Sequence, residues 1–421
     1  MSGFRNLGDG GKSRGKAGEL TRAGGWGRCV FLAVILVALR LPFVGHPAPV
    51  HPDELSFVSA IGFPAEYPVQ HPGYPGWVAL GTLASWMGVG SYWAYAMWSM
   101  AASAIGPVIA YRVFRRFLGE GTAWWLGLAL GVNPLMWFMS VTALTFPLAT
   151  AIGLGTVLLA VKAEREKKLG MLVAAIGALV LGMLVRGDLG IYLGLLVLGV
   201  NATVAAKSKM WIAPALLLVA ALAFVSATRL AYLRGDEAAV AARLAHTQDV
   251  VLNTSVFRAG LVDGLLRNVI KIGVNLGWDL GLAFPVFVFS VGYLARCWRA
   301  MQPGAWLVGM WLAPGLLFLA CFHVVQGYFL ILLPAALLCI GLALERWRGV
   351  VVARRAAIGI VVASAVQFLA YPWSVESTGW KRTVDGKIGF LSRAGLMGID
   401  QRERIHEDGD FWRTGAHESP H

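Results

Sequence analysis

LGMLVAAIGALVLGMLV at residues 169–185 and DLGIYLGLLVLGVNATVAA at 188–206, parted by Arg186-Gly187, stand between the basic clusters Lys162/Arg165/Lys167/Lys168 and Lys207/Lys209. Each run is close to the about 20 apolar residues that a helix needs to cross a bilayer core. Two crossings between neighbouring clusters return the chain to the side it left, as expected when Lys and Arg are held on the cytoplasmic side. The pattern extends outward in both directions. Further clusters stand at Arg112/Arg115/Arg116, Arg296/Arg299 and Arg346/Arg348/Arg354/Arg355, and the runs 121–139 with 144–161, 210–229 with 276–295, and 305–322 with 326–344 fall in pairs between clusters. A last run, 356–372, leads outward to a polar tail.

The composition agrees. Of 421 residues 57% are hydrophobic and 14% charged, against about a quarter charged in a soluble domain, which excludes a soluble globule. The net charge of +13 reads as membrane topology rather than as a nucleic-acid surface. Cys29, Cys297, Cys321 and Cys339 lie in or beside apolar runs with no metal-type spacing, so neither a disulfide framework nor a cysteine metal site is expected. The basic stretch ending at Arg28 precedes the apolar run Cys29–Leu39, and Arg40-Leu41-Pro42 follows where a signal peptide would carry small residues for cleavage. This predicts an uncleaved anchor, with residues 1–25 a disordered basic cytoplasmic tail.

Between Arg40 and Arg112 there is no Lys or Arg, yet three apolar runs occur: 26–44, 74–87 and 91–111. Parity allows two crossings. The run 74–87 is short and bracketed by Pro72, Pro75, Gly88 and Gly90, which predicts a juxtamembrane or re-entrant helix. The expected fold is therefore an all-α polytopic membrane protein of about eleven spans over residues 26–372, N-terminus cytoplasmic and C-terminus outside. Three outer pieces follow: a first loop at 45–90, a middle loop at 230–275 and a polar tail at 373–421.

Charged groups inside a bilayer are costly, so their positions are informative. Arg40, Arg186, Asp188, Asp279 and His323 all fall near the outer ends of spans, facing the side that holds His51, Asp53, Glu54, Glu66 and His71 of the first loop. Snorkelling at helix ends accounts for any one of them, Arg186 and Asp188 especially. The set as a whole reads as a site. Its densest element is His51-Pro52-Asp53-Glu54. Proline followed by acids is a helix-start signal, but adjacent carboxylates with no basic residue in the loop also suit a base that takes a proton from a hydroxyl. A divalent ion on His51 and Asp53 ranks below this, because two ligands do not make a site; no cofactor and no metal site is expected. Two further elements are His71-Pro72-Gly73-Tyr74-Pro75-Gly76-Trp77, a turn with interfacial aromatics, and the corner His323-Val324-Val325-Gln326-Gly327-Tyr328-Phe329 that ends at Pro334.

With these three elements the sequence resembles the GT-C superfamily of membrane glycosyltransferases over roughly residues 26–345. The nearest likeness is to the bacterial protein O-mannosyltransferase and lipid A aminoarabinose transferase family, and His-Pro-Asp-Glu is also similar to a motif of the mannosyltransferases of GPI-anchor synthesis. The resemblance implies that Asp53 is the catalytic base with Glu54 beside it, and that the donor is a sugar on a polyprenyl phosphate. A leaving phosphate needs cations, and Arg40, Arg186, His71 and His323 are the available ones; with Tyr74, Gln326 and Tyr328 they are the candidates for binding the donor and its phosphate, and His51, Asp188 and Asp279 are further candidates. Two departures from the family pattern stand out. His71 replaces a lysine, and Ser140-Val141-Thr142-Ala143-Leu144-Thr145 stands where relatives often carry a second acid.

The expected activity is inverting transfer of a sugar to an acceptor hydroxyl at the outer membrane surface. The acceptor would be a glycan, lipid or protein, membrane lipids would be partners, and nucleic acid would not; the expected location is a bacterial inner membrane. The alternative is a transporter or flippase for a lipid-linked or small solute, which would place its ionisable groups near the bilayer midplane.

Overall fold

A helix that is apolar all round is stable only when enclosed, and FLILLPAALLCIGLALERWR at Phe329–Arg348 is such a helix. In the computed structural model of the chain every residue from Phe329 to Leu344 is buried. The structure describes residues 14–41, 74–204, 255–297, 304–322 and 326–370, together with residues 57, 58, 61, 245, 252 and 324. Among the described residues 89% are helical and none lies in a strand.

The helices in chain order are α1 (Arg14–Arg40), α2 (Pro75–Trp86), α3 (Ser91–Phe114), α4 (Glu120–Val132), α5 (Pro134–Ser140), α6 (Phe146–Glu166) and α7 (Leu169–Val185). They continue with α8 (Leu189–Val204), α9 (Val256–Ala259), α10 (Leu261–Leu280), α11 (Phe284–Arg296), α12 (Gly304–Cys321), α13 (Phe329–Arg348) and α14 (Val350–Ala370). Helix α13 packs against α4, α6, α11, α12 and α14, while α6 packs against α3, α7 and α8. Helix α14 is peripheral, with much of its surface outside the bundle, as expected of an element facing lipid.

By length and composition five described helical stretches can cross a membrane: Phe146–Glu166, Leu261–Arg296 (α10 and α11 with the turn between them), Gly304–Cys321, Phe329–Arg348 and Val350–Phe368. Leu169–Val185 and Leu189–Val204 are shorter apolar helices. The expected all-α membrane architecture is thus present, and eleven crossings stays an expectation, since the run 210–229 lies outside the described residues.

Local chemistry explains where runs break. The run 121–139 divides into α4 and α5 because Asn133 leaves the helical conformation and caps α5. Its Oδ1 accepts from the amides of Leu135 (3.0 Å) and Met136 (3.5 Å), and Pro134 occupies the first helical position, where a missing N–H costs nothing. The run 276–295 divides at the 3-10 turn Gly281–Ala283, where Gly281 takes φ 51°. Residues 261–275, expected in the middle outer loop, form most of α10. Their polar residues are spaced so that Leu265, Leu266, Val269 and Ile270 still share an apolar face.

Helix α2 has 12 residues, about 18 Å at 1.5 Å per residue and well short of a core of about 30 Å. It lies against α3 and α7, with Trp77 stacked on Tyr95 at 5.1 Å between centroids. Tyr74, which precedes it, is held in the left-handed conformation (φ 44°, ψ 53°).

Candidate active site

Arg186 is the centre of the arrangement. It ends α7 in an extended conformation, and the turn Arg186-Gly187-Asp188 delivers it inward rather than to the surface. The residue is 5% exposed, so snorkelling is not its role. Its Nε donates to Asp188 Oδ2 at 3.1 Å and lies 3.0 Å from Oδ1, and its Nη1 donates to Thr145 Oγ1 at 2.9 Å. Among the described residues Nη2 has no hydrogen-bond acceptor.

Three aromatic rings close around the guanidinium. Its carbon lies 3.8 Å from the Phe146 centroid, 4.8 Å from Tyr328 and 5.7 Å from Tyr74. Such contacts are worth about 2 kcal/mol each when desolvated and less when wet. Burial alone would lower the Arg186 pKa, but Asp188, with Tyr74, Tyr328 and Tyr192, raises it above the ordinary guanidinium value, so the charge persists in place. Behind the cage Tyr192 meets Tyr328 and Phe318 at 6.5 and 6.2 Å, and its hydroxyl has no hydrogen-bond partner among the described residues.

The cage is drawn from the start of α2, the start of α6, the α7–α8 turn and the 3-10 turn Gln326–Tyr328. Gly327 allows the last of these to close, because a Cβ there would overlap the Phe146 ring. Phe57 is 3% exposed and meets Tyr74 edge-on at 5.4 Å and Trp77 at 6.4 Å. The chain that carries the acidic pair is therefore anchored, three residues beyond Glu54, on a ring of the cage.

Of the residues singled out from sequence, the structure brings together Tyr74, Arg186, Asp188 and Tyr328. Gln326 shares the 3-10 turn with Tyr328. His51, Asp53, Glu54, His71 and His323 lie outside the described residues.

Arg40 is fully buried but stands apart from the cage. Its Nε donates to Ser140 Oγ (2.9 Å), Nη1 to the Leu36 carbonyl (2.7 Å) and Nη2 to the Gly131 carbonyl (2.7 Å), which ties α1 to the α4–α5 break. Asp279 is buried at the end of α10, where its carbonyl accepts from Asn133 Nδ2 at 2.6 Å.

Arg40 and Arg186 hold opposite ends of one buried segment, Ser140–Thr145. A buried loop must satisfy its backbone from elsewhere. Here Tyr92 donates to the Val141 carbonyl (3.1 Å) and Ser99 to the Leu144 carbonyl (2.7 Å).

Phe146, Thr145, Tyr192 and Phe57 were not singled out from sequence. Aromatics inside apolar runs read as core, and only the Thr145-Phe146-Pro147 helix start marked the place where the chain turns.

No protein-family model matches the sequence, and no curated protein sequence is similar to it. Among solved structures, ArnT from Cupriavidus metallidurans in the apo state aligns with a TM-score of 0.55 at 19% identity, over 89% of this chain and 72% of that one. The same protein bound to undecaprenyl phosphate aligns with a TM-score of 0.55 at 19% identity, over 90% of this chain and 72% of that one. An Archaeoglobus fulgidus oligosaccharyltransferase tethered with an acceptor peptide aligns more loosely, with a TM-score of 0.48 at 12% identity over 89% of this chain and 55% of that one. What likeness at this identity establishes is architecture: the chain has apolar helices long enough to cross a membrane and shares the fold of ArnT.

Proposed function

We propose that the chain is an inverting glycosyltransferase that moves a sugar from a polyprenyl-phosphate donor to an acceptor hydroxyl at the outer membrane surface. The observation that carries this reading is the Arg186 cage: a buried guanidinium, its charge secured by Asp188, with donor capacity left at Nη2. A planar cation with free N–H groups suits a phosphate oxygen. A polyprenyl phosphate does not leave the bilayer, so its phosphate must be met by protein at the end of a bundle. The ArnT structure with undecaprenyl phosphate supports the same donor class for this fold.

In this reading Arg186 stabilises the phosphate as the glycosidic bond breaks and negative charge gathers on the leaving oxygen. Tyr328 and Tyr74 face the donor beside it, and Gln326, His71 and His323 supply further polar contacts. Asp53 takes the proton of the acceptor hydroxyl while that oxygen attacks the anomeric carbon on the face opposite the phosphate, and Glu54 orients Asp53 or the acceptor. Phe57, which meets Tyr74 edge-on, follows Glu54 by three residues and Asp53 by four, at most about 11 and 14 Å of extended chain, which supports an acidic pair near the cage. No metal is required by this chemistry.

The test is transfer from a radiolabelled polyprenyl-phosphate sugar in membranes, with expression measured in parallel. Asn is a good helix cap, so Asp53→Asn leaves a structural role intact. As the loss of a base it lowers turnover about 100-fold to 10,000-fold with donor binding preserved. Near-normal transfer by Asp53→Asn together with Glu54→Gln would end the glycosyltransferase reading, and EDTA should leave the wild-type rate unchanged.

A further inference from the structure

Arg28 and Arg40 lie 12 residues apart on α1, about 18 Å at 1.5 Å per residue, so Arg28 marks the end of the bundle remote from the Ser140–Thr145 segment and the cage it supports. A cavity of about 560 Å³ opens there between α1, α4 and the start of α14. Its walls are Phe31, Trp124 and Trp125, with Arg28, Glu120 and Arg354 around it.

The charges at this cavity do not balance. Glu120 Oε1 is already engaged by Arg28 at 2.9 Å, lies 3.9 Å from Arg115, and accepts from the Tyr111 hydroxyl at 3.2 Å. Glu345, the other acid nearby, is turned to the Gly119 amide at 3.0 and 3.1 Å. Arg354 lays its stem over Gly121, where an added Cβ would meet its Cδ at 3.2 Å, and no carboxylate among the described residues pairs with it.

The apolar side is equally defined. Phe31 stacks on Trp124 at 6.4 Å, and Trp125 meets Trp124 edge-on at 4.8 Å. The Trp124 Nε1 is buried without a hydrogen-bond partner among the described residues. Indoles with one wet edge and one apolar face occupy the headgroup level of membranes.

We infer that this cavity holds one anionic phospholipid, its phosphate against Arg354 and Arg28 and its acyl chain along Phe31, Trp124 and Trp125. An unpaired cation beside three aromatic rings matches the two halves of a lipid, and surplus positive charge at this end favours an anionic headgroup. A soluble anion would gain nothing from the rings. The chain's own first 25 residues carry Arg5, Lys12, Arg14, Lys16 and Arg22 against Asp9 and Glu19, and their surplus of positive charge makes them a poor occupant for a basic mouth.

The purified full chain in detergent, titrated with phosphatidylglycerol or phosphatidylcholine of matched acyl chains and read by native mass spectrometry, tests this. One saturable phosphatidylglycerol adduct per chain is expected, retained about 10-fold more than phosphatidylcholine. Arg354→Gln and Trp124→Leu should each weaken retention about 5-fold or more. Arg165→Gln, at a basic residue outside the cavity that stacks on Phe117, should leave it unchanged. Arg28→Gln gives a second reading should either cavity variant fail to fold. Equal retention of the two lipids, unchanged retention in Arg354→Gln, or an equal loss in Arg165→Gln would overturn the inference. So would displacement by millimolar inorganic phosphate, which would give the cavity to a soluble anion. An adduct seen only after removal of residues 1–13 would give the cavity to the chain's own N-terminus and would overturn the inference as well.

Discussion

Arg40 and Arg186 are both buried, both stand at the end of an apolar helix, and both grip the segment Ser140–Thr145, yet they are held by different chemistry. Arg40 meets neutral oxygens at all three of its nitrogens. Arg186 meets a carboxylate, one hydroxyl and three ring faces, and keeps donors in reserve. The first is a strut, bonded once at each nitrogen, that fixes α1 to the break between α4 and α5. The second is a charge held ready in a fixed place. Burial alone does not separate a structural arginine from a binding one; the difference here is that each Arg40 nitrogen has an acceptor and Arg186 Nη2 has none among the described residues.

Of the two arginines, the larger effect on transfer falls on Arg186. Charge-assisted hydrogen bonds contribute about 1.5–3 kcal/mol each, so Arg186→Gln should lower transfer at limiting donor about 100-fold. Removing one member of a buried ion pair also costs about 3–5 kcal/mol of stability, which would confuse the result. The double variant Arg186→Met/Asp188→Leu removes both charges and should restore the fold while leaving transfer abolished, measured as expression and thermal midpoint beside the transfer assay. Wild-type transfer by that double variant would make Arg186 a strut like Arg40 and break the contrast.

Arg40→Met comes next, with the opposite signature. It takes the Arg40 bond from the Gly131 carbonyl, at about 1–3 kcal/mol for a buried group left unsatisfied, while Ser140 Oγ keeps its bond to the Trp137 carbonyl. A lower thermal midpoint with an unchanged donor KM is expected. A donor KM that rises as it does in Arg186→Gln would place Arg40 with the phosphate contacts.

Tyr328 sharpens the comparison most finely. Tyr328→Phe keeps the ring over Arg186 and should change transfer less than about 3-fold, whereas Tyr328→Leu removes a cation–π contact of about 0.5–2 kcal/mol and should raise the donor KM accordingly. Equal effects of the two variants would assign the role to the hydroxyl rather than to the ring face.

Sequence made part of this plain and hid the rest. Hydropathy and the spacing of Lys and Arg were enough for the all-helical membrane class, because apolar runs of span length have few other uses. The Arg186–Asp188 turn was visible as ionisable groups between two runs. Its burial was not, since a helix-end arginine that snorkels and one that is caged share the same local sequence. Phe146 and Tyr192 were hidden for the complementary reason: an aromatic in an apolar run gives no sign of whether it faces a leucine or a guanidinium. The break at Asn133 went unread inside the single run 121–139, although Asn followed by Pro is a helix start even within an apolar run. Arg40 stands out as a cation at the end of an apolar run, but the three oxygens that absorb it come from α1 itself, α4 and α5, and no local pattern joins positions 36, 131 and 140.

Tyr74 adds a consequence of another kind. An L-residue in the left-handed conformation gives up about 1–2 kcal/mol relative to its relaxed backbone, and glycine would occupy the same φ of 44° without that strain. The chain nonetheless carries a tyrosine whose ring reaches both Arg186 and Phe57. Backbone strain and ring contacts are thus set against each other at one position. Tyr74→Gly would relax the turn but strip the ring from Arg186 and Phe57, contacts of about 0.5–2 kcal/mol each, and glycine's added freedom in the unfolded chain costs about 0.5–1 kcal/mol more, so the relief brings no net gain in heat tolerance.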